Sequence, residues 1–220
     1  MRTICLFCSL LLLCANLSFA GDTKTTPAAS QKKNEKGFVA LFDGKTLNGW
    51  QGATKGYAVE DGAIVCRKGG NLYTDREYAD FILRFEVKIP AGGNNGVGIR
   101  APLKGNAAYV GMEIQVLDNK AKGYANLKPY QYHGSIYGVV PAKRGFLKPA
   151  GQWNSEEIAC KGGKIKITLN GTVIVDSDIS KIKETLDHGE HPGLHNKKGH
   201  IGFLGHGSPV AFRNIRIKEL

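Results

Sequence analysis

Glu113 and Gln115 are the pair whose types and spacing could do chemistry. They lie in Gly111-Met-Glu-Ile-Gln-Val-Leu-Asp118, where polar and apolar residues alternate. Such alternation is the period of a β-strand, so Met112, Ile114 and Val116 share a core-facing side and Glu113 and Gln115 share the other. Strand geometry sets those two side chains about 7 Å apart on one sheet face. A carboxylate and an amide so placed can hold a polyhydroxylated ligand, or the carboxylate can move a proton. The same pattern also describes the solvated outer face of an amphipathic strand, so the neighbouring elements must decide.

Those elements are strands. Phe81, Leu83, Phe85, Val87 and Ile89 alternate with Ile82, Arg84, Glu86 and Lys88 before Pro90 ends the run. The glycine-rich turn Ala91–Gly96 leads into Val97-Gly-Ile-Arg-Ala101, where Val97 and Ile99 face inward and Gly98 and Arg100 share the opposite face. A glycine beside a charged residue leaves room for something to approach the sheet. Asp61-Gly62 and Asn170-Gly171 are hairpin turns, and Asn170-Gly-Thr172 also fits a glycosylation acceptor. In Val210–Lys218 the apolar parity shifts between Phe212 and Ile215, which predicts a bulge at Arg213-Asn214. Ile179–Leu186 is the one helical candidate. At least ten short strands with glycine turns and almost no helix predict an all-β antiparallel sandwich. One curved sheet of it would offer a concave polar face to Glu113, Gln115, Arg100 and His206.

Two segments break the strand pattern. Residues 119–149 are rich in Gly and Pro and carry Tyr124, Tyr130, Tyr132, His133 and Tyr137. Long irregular stretches in a compact domain are binding loops or lids, or surface loops packed by their own aromatics. The second, His188–His200, is rich in His, Gly and Lys.

Residues 1–20 read as a signal peptide, with Arg2, an apolar run over Ile4–Leu13 and Ser18-Phe-Ala20 before the cleavage point. That run is too short for a membrane span. Residues 21–36 read as a disordered tether, leaving 37–220 as one domain of an exported protein, periplasmic or secreted. Three of the five cysteines lie in the leader. Cys66 and Cys160 could pair, although both occupy apolar strand contexts where buried free thiols are common. The net charge of +11 comes from scattered lysines, with no basic helix and no nucleic-acid motif. The six histidines show no zinc spacing, whereas a cation held by loop aspartates and carbonyls has no fixed linear signature. Gly-x-Ser-x-Gly and Walker-type loops are missing. Beside Glu113 the strand supplies Gln115 where a second carboxylate would face it, which argues against the usual retaining glycosidase pair, although a distant strand could supply the partner. Aromatic rings, an Arg, a Gln and a Glu on one face suit sugar recognition.

Leu41-Phe-Asp-Gly-Lys-Thr-Leu-Asn-Gly-Trp50 and Gly111–Asp118 strongly resemble the 3-keto-disaccharide hydrolase domain family. His133-Gly-Ser-Ile-Tyr-Gly-Val-Val-Pro141, Lys148-Pro-Ala-Gly-Gln-Trp-Asn154, Leu169–Thr172, Gly199–Gly207 and Phe212–Ile217 agree in order. The resemblance covers Gly37 to Leu220 and implies a concanavalin A-like jelly roll. It departs at Leu204, where many relatives carry Gln.

The implied reaction is cleavage of a glycoside already oxidised at C3. The ketone acidifies the C2 hydrogen and lets the C1 substituent leave by elimination, after which water adds. Such chemistry needs a base, a group for the enolate oxygen and an acid for the leaving group. Glu113 is then the expected acid/base. Arg100 or a divalent cation is expected at the oxyanion, His133 or His206 as the second proton carrier, and Asn95, Gln115 and Tyr137 on substrate hydroxyls. A sugar 3-dehydrogenase is the implied supplier of substrate. The competing reading is a non-catalytic carbohydrate-binding module on the same fold, and a third is an interaction domain with no sugar site.

Overall fold

A computed structural model describes Met1 and residues 35–220. The expected signal peptide and nearly all of the expected tether lie outside the described residues. Among the described residues, thirteen strands form two antiparallel sheets. The larger contains β1 (Val39–Ala40), β3 (Tyr57–Glu60), β4 (Ala63–Cys66), β6 (Phe81–Lys88), β9 (Trp153–Lys161), β10 (Lys164–Leu169), β11 (Thr172–Asp178) and β13 (Ala211–Glu219). Its order is β11-β10-β9-β6-β13-β4-β3, with β1 also pairing β13. The smaller contains β2 (Trp50–Gly52), β5 (Gly70–Tyr78), β7 (Asn94–Ala101), β8 (Met112–Leu117) and β12 (Gly199–Gly205), in the order β2-β5-β12-β7-β8. The two sheets make the expected all-β, jelly-roll-like sandwich.

The alternation explains the core. From β6, Phe81, Leu83, Phe85 and Val87 are buried, while Ile82, Arg84, Glu86 and Lys88 are half-buried on the outer side. Val97 and Ile99 of β7, Ile114 and Val116 of β8 and Phe203 of β12 meet them from the smaller sheet. Phe203 lies between Trp50 and Phe212, stacked on both, with ring centroids at 5.2 and 3.8 Å. Burying a side chain of this size contributes about 1.5–3 kcal/mol, so this ring column is a main tie between the sheets.

Asp61 (φ 48°) and Asn170 (φ 49°) each precede a positive-φ glycine, as the hairpin turns require. The Asn170 amide is occupied within the fold, donating to Phe146 O and Asn154 Oδ1 and accepting from Ser155 N–H. The predicted bulge occurs, with Asn214 at φ 52° and a register shift between Arg213 and Arg216. Cys66 and Cys160 are buried free thiols. The helical expectation over Ile179–Leu186 reduces to one 3-10 turn, Ile179–Lys181. An unexpected short helix, α1 (Ala107–Val110), is capped by Asn106 Oδ1, which accepts from Ala108 N–H at 3.1 Å. Among the described residues, no helix is long and apolar enough to cross a membrane.

Candidate functional site

The site lies on the outer face of the smaller sheet. In the β7–β8 pairing Gly98 is opposite Glu113 and Gly96 is opposite Gln115. Both β8 side chains lean diagonally toward the start of β7. Gln115 Nε2 reaches Asn94 Oδ1 at 2.8 Å. Glu113 lies across Gly96: a Cβ there would overlap Glu113 Oε1 and sit 2.6 Å from its Cδ. Gly96 therefore makes the slot that receives the carboxyl, a close approach that only glycine permits.

Packing into the slot leaves Glu113 only 7 % exposed. Burial alone raises its pKa from 4.5 to about 7, because desolvation penalises the charged form and no cation offsets it. Around it is a pocket of about 240 Å³ lined by Asn94, Asn106, Tyr109, Gln115, Tyr137 and His206 among others. That is somewhat below the roughly 300 Å³ at which pockets for drug-sized ligands begin.

Irregular segments build the walls. The loop after β8 runs back beside it: Gln115 N–H donates to Ser135 O, Gly134 N–H to Gln115 O and Tyr137 N–H to Glu113 O. This added edge carries Tyr137, whose hydroxyl accepts from Gln131 Nε2 at 3.1 Å and whose ring meets Tyr130 edge-on at 6.3 Å. The Tyr-rich segment thus forms a wall of the pocket. Helix α1 supplies Tyr109 from another side.

Of the expected site residues, Glu113, Gln115, Tyr137 and His206 come together, with His206 exposed at the rim. Arg100, His133 and Asn95 do not. Arg100 adopts φ 47°, which breaks the strand alternation and turns its side chain away. Its guanidinium is buried, bonded to Ala79 O, Gly162 O, Asn196 O and Asp80 Oδ1. It ties segments together and does not line the pocket around Glu113.

His133 is 2 % exposed between the sheets. Its Nδ1 accepts from Leu117 N–H at 3.3 Å, so Nε2 carries the proton and faces Glu156 Oε2 at 3.2 Å, out of line for a hydrogen bond. Asn95 shares the parity of Val97 and is fully buried, with Oδ1 accepting from Gly96 N–H and Nδ2 unpartnered. Its neighbour Asn94 reaches the pocket instead. Asn106 and Tyr109 escaped the sequence reading, although an Asn before Ala-Ala is a helix-cap signal. Leu204 covers Gly98 and clusters with Tyr73, Ala101 and Ala107. For the expected divalent cation, the described residues offer no group of three or more His, Cys, Asp or Glu side chains that could hold a metal.

Known proteins share this framework. A protein described as a 3-keto-disaccharide hydrolase, from Bacteroides thetaiotaomicron, is 30% identical over 228 aligned positions, covering 84% of this chain and 79% of that protein. Two crystal structures from Parabacteroides distasonis, provisionally described as glycosyl hydrolases, superpose with TM-scores of 0.75 and 0.74 at 30% and 27% identity. They cover 83% and 84% of this chain and 99% and 94% of their own. Residues 37–218 match the family model described as the 3-keto-alpha-glucoside-1,2-lyase-like domain, and the chain belongs to that family.

Proposed function

We propose that this protein is an exported enzyme that cleaves glycosides carrying a ketone at C3 of the sugar ring. The observation that carries the reading is the Glu113 carboxyl, buried without a cation and titrating near 7 in a pocket of amides and phenols. A base poised near the working pH is what proton abstraction beside a carbonyl needs. A module that only binds sugar has no use for a carboxyl held there against its desolvation cost.

Ionised Glu113 takes the C2 hydrogen as a proton, and the electron pair moves onto the C3 oxygen as an enolate. The enolate then reforms the C3 carbonyl, a C1–C2 double bond forms, and the C1–oxygen bond breaks. The leaving oxygen takes a proton from the rim, where His206 stands. Water then adds its hydroxyl to C1, its other proton replaces the one the rim gave up, and Glu113 returns its proton to C2. Tyr109 and Tyr137, which line the pocket, are the proposed donors to the enolate oxygen in place of Arg100, and Asn94 and Gln115 the proposed holders of hydroxyls. The substrate implies a separate sugar 3-dehydrogenase that makes the ketone.

The test is p-nitrophenyl 3-keto-glucoside beside its unoxidised parent, each with and without chelator. Nitrophenol from the keto compound alone, lost in Glu113→Gln with the fold unchanged, is the expected result. Equal release from both compounds, or full activity of Glu113→Gln, overturns the reading; binding without release makes the domain a sugar-recognition module.

A further inference from the structure

The His-rich segment 188–200 does not line the Glu113 pocket, yet it packs against two of the pocket's walls. His191 is 6 % exposed, and its Nε2 donates to Asp187, 3.1 and 3.0 Å from Oδ1 and Oδ2. Gly189 N–H also donates to Asp187 Oδ1, at 3.0 Å. Burying such a pair costs desolvation that only good geometry offsets.

One side of the pair meets the Tyr137 wall. Leu186 and Asp187 N–H both donate to Gly138 O, at 2.8 and 3.1 Å. A Cβ on Gly138 would overlap Asp187 Oδ2 and lie 2.7 Å from His191 Nε2. The other side meets α1, where the His191 and Tyr109 rings are 4.7 Å apart, tilted by 49°. Asn196 Nδ2 clasps the same helix, donating to Val110 O at 2.7 Å and to Arg100 O at 3.0 Å.

We propose that Asp187 and His191 are positioning residues of the pocket, one hydrogen-bonded pair that fixes both the Tyr109 ring and the Tyr137-Gly138 backbone around Glu113. Their contribution to turnover rests on the keto-glycoside reading; their hold on the two tyrosines does not. A misplacement of about 1 Å by a residue outside the chemistry costs about 10²-fold in rate. That is the loss in kcat/KM expected for Asp187→Ala.

The experiment uses the full chain with ring-labelled tyrosine, its NMR signals assigned through Tyr109→Phe and Tyr137→Phe, alongside kinetics on p-nitrophenyl 3-keto-glucoside. Asp187→Ala should move and broaden both the Tyr109 and Tyr137 signals. His191→Gln keeps a donor for Asp187 but loses the ring, so it should move Tyr109 and spare Tyr137. Unmoved signals in both variants, or moved signals with unchanged kcat/KM in an active enzyme, overturn the proposal. Loss of all folded signals in both variants also overturns it, because the pair is then a structural prop. A wild type that releases no nitrophenol defeats the keto-glycoside reading, while the tyrosine signals still decide whether the pair positions the walls.

Discussion

The outer faces of the two sheets carry similar residue types and treat charge in opposite ways. On the outer face of the larger sheet Glu157, Glu86 and Glu35 each have a basic partner. Arg84 Nε meets Glu157 at 2.6 Å, Arg213 Nε meets Glu86 at 2.6 Å, and Glu35 sits between Arg84 and Arg216 at 2.9 and 3.1 Å. These groups are about one-quarter to one-third exposed, and pairs of that kind contribute about 0–1 kcal/mol each. On the smaller sheet Glu113 is buried with burial as the sole cause of its raised pKa. Paired charges on one face are ordinary surface; an unpaired, desolvated carboxyl on the other destabilises the fold, and perturbed groups of that kind cluster at functional sites.

Gly96→Ala should break the contrast most severely. The added methyl expels the carboxyl from its slot, so turnover should fall by about 10²-fold while Glu113 titrates closer to its ordinary value. Kinetics beside a carboxyl-labelled NMR titration checks both, and an unchanged titration would show that the slot does not set the pKa.

Next comes stability against pH. Glu113 has a folded pKa raised from 4.5 to about 7, so the native state binds a proton that the unfolded state releases. Stability therefore falls as pH rises from about 4.5 through 7, by about 3 kcal/mol at most. Urea unfolding from pH 4.5 to 8 should show this slope in wild type and lose it in Glu113→Gln. Activity runs the other way, rising through the same window as the base ionises.

The smallest effect belongs to the larger sheet. Its two arginines lower the Glu35 pKa from 4.5 to about 2, so its contribution is complete above about 4.5 and is lost as pH falls toward 2. Glu35→Gln should cost below about 1 kcal/mol at neutral pH and leave turnover untouched, as thermal unfolding and the nitrophenol assay would show.

What the sequence made legible follows from strand alternation. It placed β6 and β8 correctly and put Glu113 and Gln115 on one face. The same parity, extended back from Val97, points Asn95 inward and Asn94 outward. Alternation fails at Arg100, where a left-handed backbone reverses the side chain. It says nothing about His133, because a loop has no period and burial between sheets is decided by tertiary packing. Tyr109 was hidden because a four-residue helix is too short to show a 3.6-residue pattern. The pocket floor and the Tyr137 wall were therefore readable, and the α1 wall with Tyr109 was not.

Glu35 and Lys36, expected at the end of the tether, are described with the domain, and Glu35 is held by Arg84 and Arg216. Arg84 also lies 4.5 Å from the centre of the Phe38 ring. The chain therefore enters the domain across the larger sheet, on the side away from Glu113. A surface, bead or fused partner joined directly at Glu35 would lie across the sandwich from the mouth of the pocket. That polarity suits an immobilised biosensor or a display format in which the sugar must arrive from bulk solution.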